Sequence, residues 1–262
     1  MNYLVARPCP ASEQNSVRGV SNSPSLSIIV PARNEAGTIQ RIIDELPTLG
    51  SFTELIFIEG NSTDHTRAEI EKRVAEYRGP KRLLFALQDG HGKGDAVRKG
   101  FAMATGDILM IYDADMTVPA NEIEHFYTAI TEGRGEFING SRLVYPMEKE
   151  SMRLLNLLAN KCFGVLFSWI LGQRLKDTLC GTKVLWRKDY EDIIAGRSFF
   201  GDFDPFGDFD LLFGASKLNR KIVDLPVHYK ERIYGNTNIS RFRHGWLLLK
   251  MVIFAARKIK FI

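Results

Sequence analysis

The sequence predicts an α/β protein built on a mostly parallel sheet flanked by helices. Three observations carry that prediction. From Leu26 onward, short apolar runs alternate with longer segments whose apolar residues recur at helical intervals. Each of the early apolar runs ends directly in a loop rich in Gly, Asp, Glu, Lys or Arg. And 262 residues, 45% hydrophobic and 25% charged, match one soluble globular core.

Met1 to about Ser25 is rich in Ser, Asn and Pro without periodicity, which reads as a loose extension. The expected strands follow at Leu26 to Val30, Glu54 to Ile58, Arg82 to Leu87, Asp107 to Tyr112 and Glu136 to Asn139. Crossover helices are expected over Thr38 to Leu46, His65 to Tyr77, Asp95 to Ala104 and Asn121 to Ile130. Right-handed crossovers then bring the strands' C-terminal ends to one edge, so whatever follows each strand shares that edge. The second half predicts a long helix from about Ser151 to Leu171, an unassigned segment from Asp177 to Trp186, a Gly/Asp/Phe-rich loop from Phe199 to Phe209 and a late strand near Ile222 to Val227. The division is therefore an extension over 1–25, a catalytic domain over 26–240 and an apolar, basic helix over 241–262.

Composition excludes several classes. A net charge of +4 is too small for a nucleic-acid binder and compatible with a phosphorylated ligand or an anionic membrane surface. Cys9, Cys162 and Cys180 form neither a disulfide framework nor a C-x-x-C metal site. No leader-like start and no run of about 20 apolar residues is present, so the expectation is a cytoplasmic chain.

The loops carry the chemistry. Pro31-Ala32-Arg33-Asn34-Glu35 places a cation and a carboxylate where a base and ribose could sit, although a proline-led turn explains it equally well alone. Glu59-Gly60-Asn61-Ser62-Thr63-Asp64 joins a strand-end carboxylate to helix-capping residues. Gly90-His91-Gly92-Lys93-Gly94 suits an anion, since glycine lets backbone N–H groups approach and Lys93 adds charge. Most informative is the apolar strand ending in Asp113-Ala114-Asp115: unpaired acids at a buried sheet edge are costly, and Mg²⁺ or Mn²⁺ holding a diphosphate would neutralise them. Gly140-Ser141-Arg142 adds another anion donor. Asp202, Asp204, Asp208 and Asp210, interleaved with phenylalanines, contain the candidate catalytic bases Asp208 and Asp210.

These residues resemble inverting family 2 glycosyltransferases, most closely the polyprenyl-phosphate (dolichol-phosphate type) sugar transferase branch, over about Ser27 to Gly245. The resemblance rests on Pro31 to Glu35, Ser62-Thr63-Asp64, Gly92-Lys93-Gly94 with Arg98 and Gly100, Asp113-Ala114-Asp115 and Gly140-Ser141-Arg142. It implies a GT-A, Rossmann-like fold in which Pro31, Ala32, Arg33, Glu35 and Asp113 hold the nucleoside, Asp115 ligates the metal and Lys93 lies near the donor. It also implies that Arg142, Arg153 and Arg232 contact acceptor phosphate or donor diphosphate. Glu59-Gly60 stands where paired acids are common in that branch, Thr117 where Gln is common, and Asn238 where a lysine is expected.

The functional expectation is inverting transfer of a hexose from a nucleotide diphosphate sugar to a lipid-phosphate or saccharide acceptor. A hydroxyl acceptor needs a base; a phosphate monoester, with a second pKa of about 6, does not. The alternatives are a nucleotidyltransferase acting on a sugar phosphate and a non-catalytic sugar-nucleotide-binding protein. The segment from His244 to Ile262 is expected either on a membrane surface or packed on the domain.

Overall fold

The computed structural model describes residues 23–144, 154–197, 209–235 and 241–260. Its centre is a seven-stranded sheet ordered β3-β2-β1-β4-β6-β5-β7. The strands are β1 (Leu26–Ala32), β2 (Thr53–Glu59), β3 (Arg82–Leu87), β4 (Ile108–Ile111), β5 (Phe137–Ser141), β6 (Lys183–Trp186) and β7 (Ile222–Pro226). The helices are α1 (Ile39–Glu45), α2 (Thr66–Glu76), α3 (Lys93–Met103), α4 (Ile123–Thr131), α5 (Leu154–Leu171), α6 (Arg187–Ala195), α7 (Phe209–Lys217) and α8 (Arg241–Ala255).

Strands β1, β2 and β4 are buried along almost their whole length, as in a sheet covered on both faces. Period-two alternation sorts their side chains into two layers. Ile28, Val30, Leu55, Phe57, Ile108 and Met110 meet α1, α2 and α4 on one side. Ile29, Ile56, Ile58, Leu109 and Ile111 meet α3, α5, α6, α7 and α8 on the other. Helix α3 lies so close to β1 that a Cβ on Gly100 would overlap the Ile29 side chain.

All pairings are parallel except those of β6, which runs antiparallel to β4 and β5. The sequence left Asp177 to Trp186 unassigned; the chain enters β6 from the edge where the other strands end. That reversal carries the 177–182 loop to the same edge as the candidate ligand loops.

At the opposite edge, buried Glu54 accepts hydrogen bonds from Ser27 Oγ and Thr105 N, each 2.5 Å. Ser25 N and Oγ donate to Asp107 at 2.9 and 2.7 Å, and Tyr127 donates to the Pro24 carbonyl at 2.7 Å. The tied-down chain thus includes 23–25; most of the expected extension lies outside the described residues. At the other end, α8 buries Leu248, Met251 and Ala255 in the same core as α5 and α7. Among the described residues no helix is long and apolar enough to cross a membrane.

Candidate active site

The first two loops are stitched together by short polar side chains. Asn34 adopts a left-handed φ of 58°, and its Oδ1 accepts from Thr63 N at 2.8 Å while its own N–H donates to Ser62 Oγ at 3.0 Å. Glu35 N donates to Thr66 Oγ1 at 2.8 Å. Buried Glu59 turns back on its own loop and accepts from Ser62 N at 2.5 Å. Pro31 and Ala32 end β1, and Arg33 is exposed at the mouth of the loop. Asp64, two residues before the start of α2, accepts from Thr66 N at 2.9 Å and from Tyr234 Oη at 3.3 Å.

On an extended strand, period-two alternation would point Asp113 and Asp115 the same way. The structure instead ends β4 at Ile111 and turns the chain, with Met116 N donating to Asp113 O at 3.2 Å and Met116 at φ 54°. The two carboxylates consequently take different partners. Asp113 pairs with Lys93 Nζ at 2.6 Å. Burial pushes the Asp113 carboxyl up, but Lys93, Lys183 and Arg142 outweigh it and hold it below the ordinary value. Asp115 Oδ1 accepts from Thr117 N and Oγ1 at 3.1 and 2.9 Å, and its Oδ2 accepts from Arg232 at 2.9 Å.

Arg232 is a bridge. Its other terminal nitrogen donates to Glu35 Oε1 at 2.8 Å, so one guanidinium joins the β1 loop to the β4 turn. Glu35 Oε2 is buried without a hydrogen-bond partner. Burial raises the Glu35 pKa to about 7 against the opposing pull of Arg232, with Asp115 and Asp64 adding to the rise.

This donor set suits the expected metal. It offers carboxylate oxygens only, the preference of Mg²⁺ and Mn²⁺, and a cationic group already rests on Asp115. Among the described residues no group of three or more His, Cys, Asp or Glu could hold a metal ion alone. One carboxylate with substrate phosphates and water completing the shell is the mode Mg²⁺ commonly adopts.

Arg142 was expected at an acceptor or donor phosphate. Its fork closes instead on buried Asp177, Nε to Oδ2 at 2.7 Å and Nη2 to Oδ1 at 2.9 Å, with its backbone N–H on the same carboxylate at 3.1 Å. The guanidinium also lies 5.1 Å from the Tyr229 ring centroid. Burial raises the Asp177 carboxyl, yet Arg142 outweighs it and holds it below the ordinary range. The pair anchors the 177–182 loop, which carries Gly181 against Asp113 and Lys93.

Asp210 lies in the first turn of α7, 3.2 Å from Arg197 Nε and 4.0 Å from Arg98. Arg98 is five residues beyond Lys93 on α3, about 7.5 Å of helix rise. Asp208 and Arg153 lie outside the described residues, as do Asp202 and Asp204. Sequence reasoning assigned no role to Asp177, Gly181 or Lys183. A lysine inside the four-residue strand β6 was the available signal: Lys183 is fully buried, and its Nζ bonds the Cys180 carbonyl.

An open α/β sheet whose strand ends gather a lysine, two aspartates and an arginine clamped between carboxylates defines a ligand-binding enzyme edge. The chain belongs to glycosyl transferase family 2, whose model matches residues 27–194. It is similar to glycosyltransferase AglJ of Haloferax volcanii, 28% identical over 226 residues covering 86% of this chain and 69% of AglJ. It also matches undecaprenyl-phosphate 4-deoxy-4-formamido-L-arabinose transferase of an Enterobacter species, at 24% identity over 83% of this chain. The chain spans 63% of that transferase and 37% of the related AglD of H. volcanii. Glucosyl-3-phosphoglycerate synthase of Mycobacterium tuberculosis, solved with Mn²⁺, UDP and phosphoglyceric acid, shares the fold with a TM-score of 0.62 at 19% identity, over 90% of this chain and 79% of that one. The fold is accordingly GT-A and the chain a family 2 glycosyltransferase, which removes the nucleotidyltransferase alternative.

Proposed function

We propose that this glycosyltransferase moves a hexose, with inversion, from a nucleotide diphosphate sugar to a lipid-phosphate acceptor, assisted by Mg²⁺ or Mn²⁺. The observation that carries the acceptor class is Asp210: its Oδ2 faces the guanidinium groups of Arg197 and Arg98, an arrangement suited to holding a carboxylate rather than freeing it to take a proton. A phosphate monoester is largely dianionic at neutral pH and attacks without a base. The undecaprenyl-phosphate relative supports the same class.

In this reading Arg33, Glu35 and Glu59 flank the nucleoside beside Pro31 and Ala32, and Asp113, held ionised by Lys93, faces the donor. Asp115 would hold the cation, which when bound neutralises charge on the departing diphosphate. Lys93, at the N-terminal end of α3, adds its own charge and that of the helix dipole. A cation on Asp115 would compete with Arg232 for Oδ2, while Arg232 would keep its bond to Glu35 Oε1. Arg142 contributes by fixing the 177–182 loop. Arg153 remains in the proposal as an acceptor-phosphate contact and Asp208 as the base if the acceptor is a hydroxyl.

The test incubates the chain with UDP-, GDP- and dTDP-sugars, Mn²⁺ and either undecaprenyl phosphate or a soluble saccharide. The expected product is lipid-extractable, with inverted anomeric configuration by NMR, and forms at an unchanged rate in Asp210→Asn. Transfer only to the saccharide, with a rate loss of about 10²-fold or more in Asp208→Asn or Asp210→Asn at retained donor affinity, would overturn the acceptor assignment.

A further inference from the structure

Helix α8 carries large apolar side chains on both its buried and its exposed face. At 100° per residue, Leu248, Met251 and Ala255 fall within about 60° and are buried in the core. Trp246, Leu249, Lys250 and Ile253 fall within an arc of about 100° on the other side and are exposed. Packing on the domain therefore does not use up this helix's apolar surface. Helix α5, which packs beside it, does the same on a smaller scale: Phe167 and Ile170 are buried while Val165 and Trp169 point outward.

Five of the twelve exposed large apolar side chains of the described residues lie on these two neighbouring helices, between 38% and 71% exposed. The two outward faces are joined. Lys260, in the π-helical turn that follows α8 (Ala256–Lys260), places its Nζ 5.9 Å from the Trp169 ring centroid on α5. Lys250 likewise lies 5.8 Å from the Trp246 ring centroid. Scattered apolar residues need no explanation, but a joined patch of this kind marks a contact surface.

The charge pattern selects the occupant. Neither α5 nor α8 with its terminal turn contains a single Asp or Glu, whereas Lys161, Lys250, Arg257 and Lys260 are exposed among the apolar side chains. A second copy of the same surface would set these cations against one another. An anionic lipid surface satisfies both components: tryptophans settle at headgroup depth and basic side chains reach the phosphates while their stems stay with the apolar face.

We propose that the outward faces of α5 and α8 form one docking surface for an anionic bilayer, with Val165, Trp169, Trp246, Leu249 and Ile253 inserted and Lys161, Lys250, Arg257 and Lys260 on the headgroups. It deepens the lipid-phosphate reading, whose acceptor lies in a bilayer, and adds α5 to the C-terminal helix as a membrane element.

The experiment is flotation of the full chain with vesicles of phosphatidylcholine alone or with about 30% phosphatidylglycerol as the anionic lipid, alongside calorimetry of nucleotide binding. The wild type should float with the anionic vesicles and be released at high salt. Lys250→Gln/Arg257→Gln/Lys260→Gln should weaken binding by about 100-fold, at about fivefold per basic side chain. Trp169→Ser alone should weaken it by about tenfold, which shows that α5 takes part, and Trp169→Ser/Trp246→Ser should weaken it further. All these positions are exposed, so melting temperature and nucleotide binding should hold in every variant. Absence of flotation with nucleotide binding intact overturns the docking surface and leaves the transferase reading standing; flotation without binding of any nucleotide does the reverse. Equal binding to neutral vesicles, or a wild-type dimer that the tryptophan variant converts to monomer without flotation, also overturns the surface.

Discussion

Gly181→Ala adds one methyl group at the point where the 177–182 loop meets the two charged side chains at the ends of β4 and α3. The Cβ would overlap the Asp113 carboxylate and the Lys93 ammonium, its distance to Asp113 Cγ being 2.6 Å. Gly181 does not require a left-handed backbone, so the change isolates steric displacement of that ion pair from any conformational penalty. Both partners are partly exposed, 27% for Lys93 and 36% for Asp113, so solvent screens the pair and stability should fall by no more than about 1 kcal/mol. That corresponds to a melting shift of about 2–4 °C. Donor affinity should suffer more: misplacing one charge-assisted contact costs about 1.5–3 kcal/mol, a nucleotide Kd raised about 10- to 150-fold. Isothermal calorimetry with the preferred nucleoside diphosphate and Mn²⁺ measures this directly. Gly196→Ala is the control, because a Cβ there meets nothing nearer than 3.7 Å. A Gly181→Ala protein that binds nucleotide as tightly as the control would refute the placement of Asp113 and Lys93 at the donor.

Three further outcomes follow from the same geometry. Asp115→Asn should abolish the Mn²⁺-dependent gain in nucleotide affinity while melting within a few degrees of the wild type; calorimetry with and without Mn²⁺ showing an unchanged gain removes Asp115 from the metal site. Asp177→Asn should destabilise by about 3–5 kcal/mol, because it leaves the buried Arg142 charge uncompensated, and a denaturant midpoint equal to wild type would refute the structural role of that pair. Glu35, with its pKa raised to about 7, binds a proton in the folded state that the unfolded chain has already lost above its ordinary value of 4.5. Its contribution to stability is therefore lost as pH rises from about 4.5 to about 7, by at most about 3 kcal/mol, and Glu35→Gln should flatten that segment of the stability–pH curve.

Much of the architecture was legible because it is written in short-range periodicity. The runs at Ile28 to Val30 and Ile108 to Ile111, and the helical intervals of α2 and α3, depend on neighbours two to four residues away, and their boundaries fell within about two residues of those found. The strand-end motifs were legible for a related reason: parallel crossovers place every βα loop at one edge whatever the order of the strands. That alone brings Glu35, Glu59, Lys93, Asp113 and Asp115 to the same side of the sheet.

Partner choice was not legible, because it depends on which strands become neighbours. Nothing local in Lys183 to Trp186 announces an antiparallel strand, since the side-chain period is the same in either direction. Inserting β6 between β4 and β5 brings Asp177 to Arg142 and Gly181 to Asp113. The adjacency of β5 and β7 likewise carries the segment after Pro226 across the edge, where Arg232 meets Glu35, 197 residues earlier, and Asp115, 117 residues earlier. The repeating α/β units and the residue types at the strand ends are local properties of the chain and could be read directly from it. Which charge neutralises which, and which face of α8 is left to solvent, depend on long-range packing that periodicity does not encode.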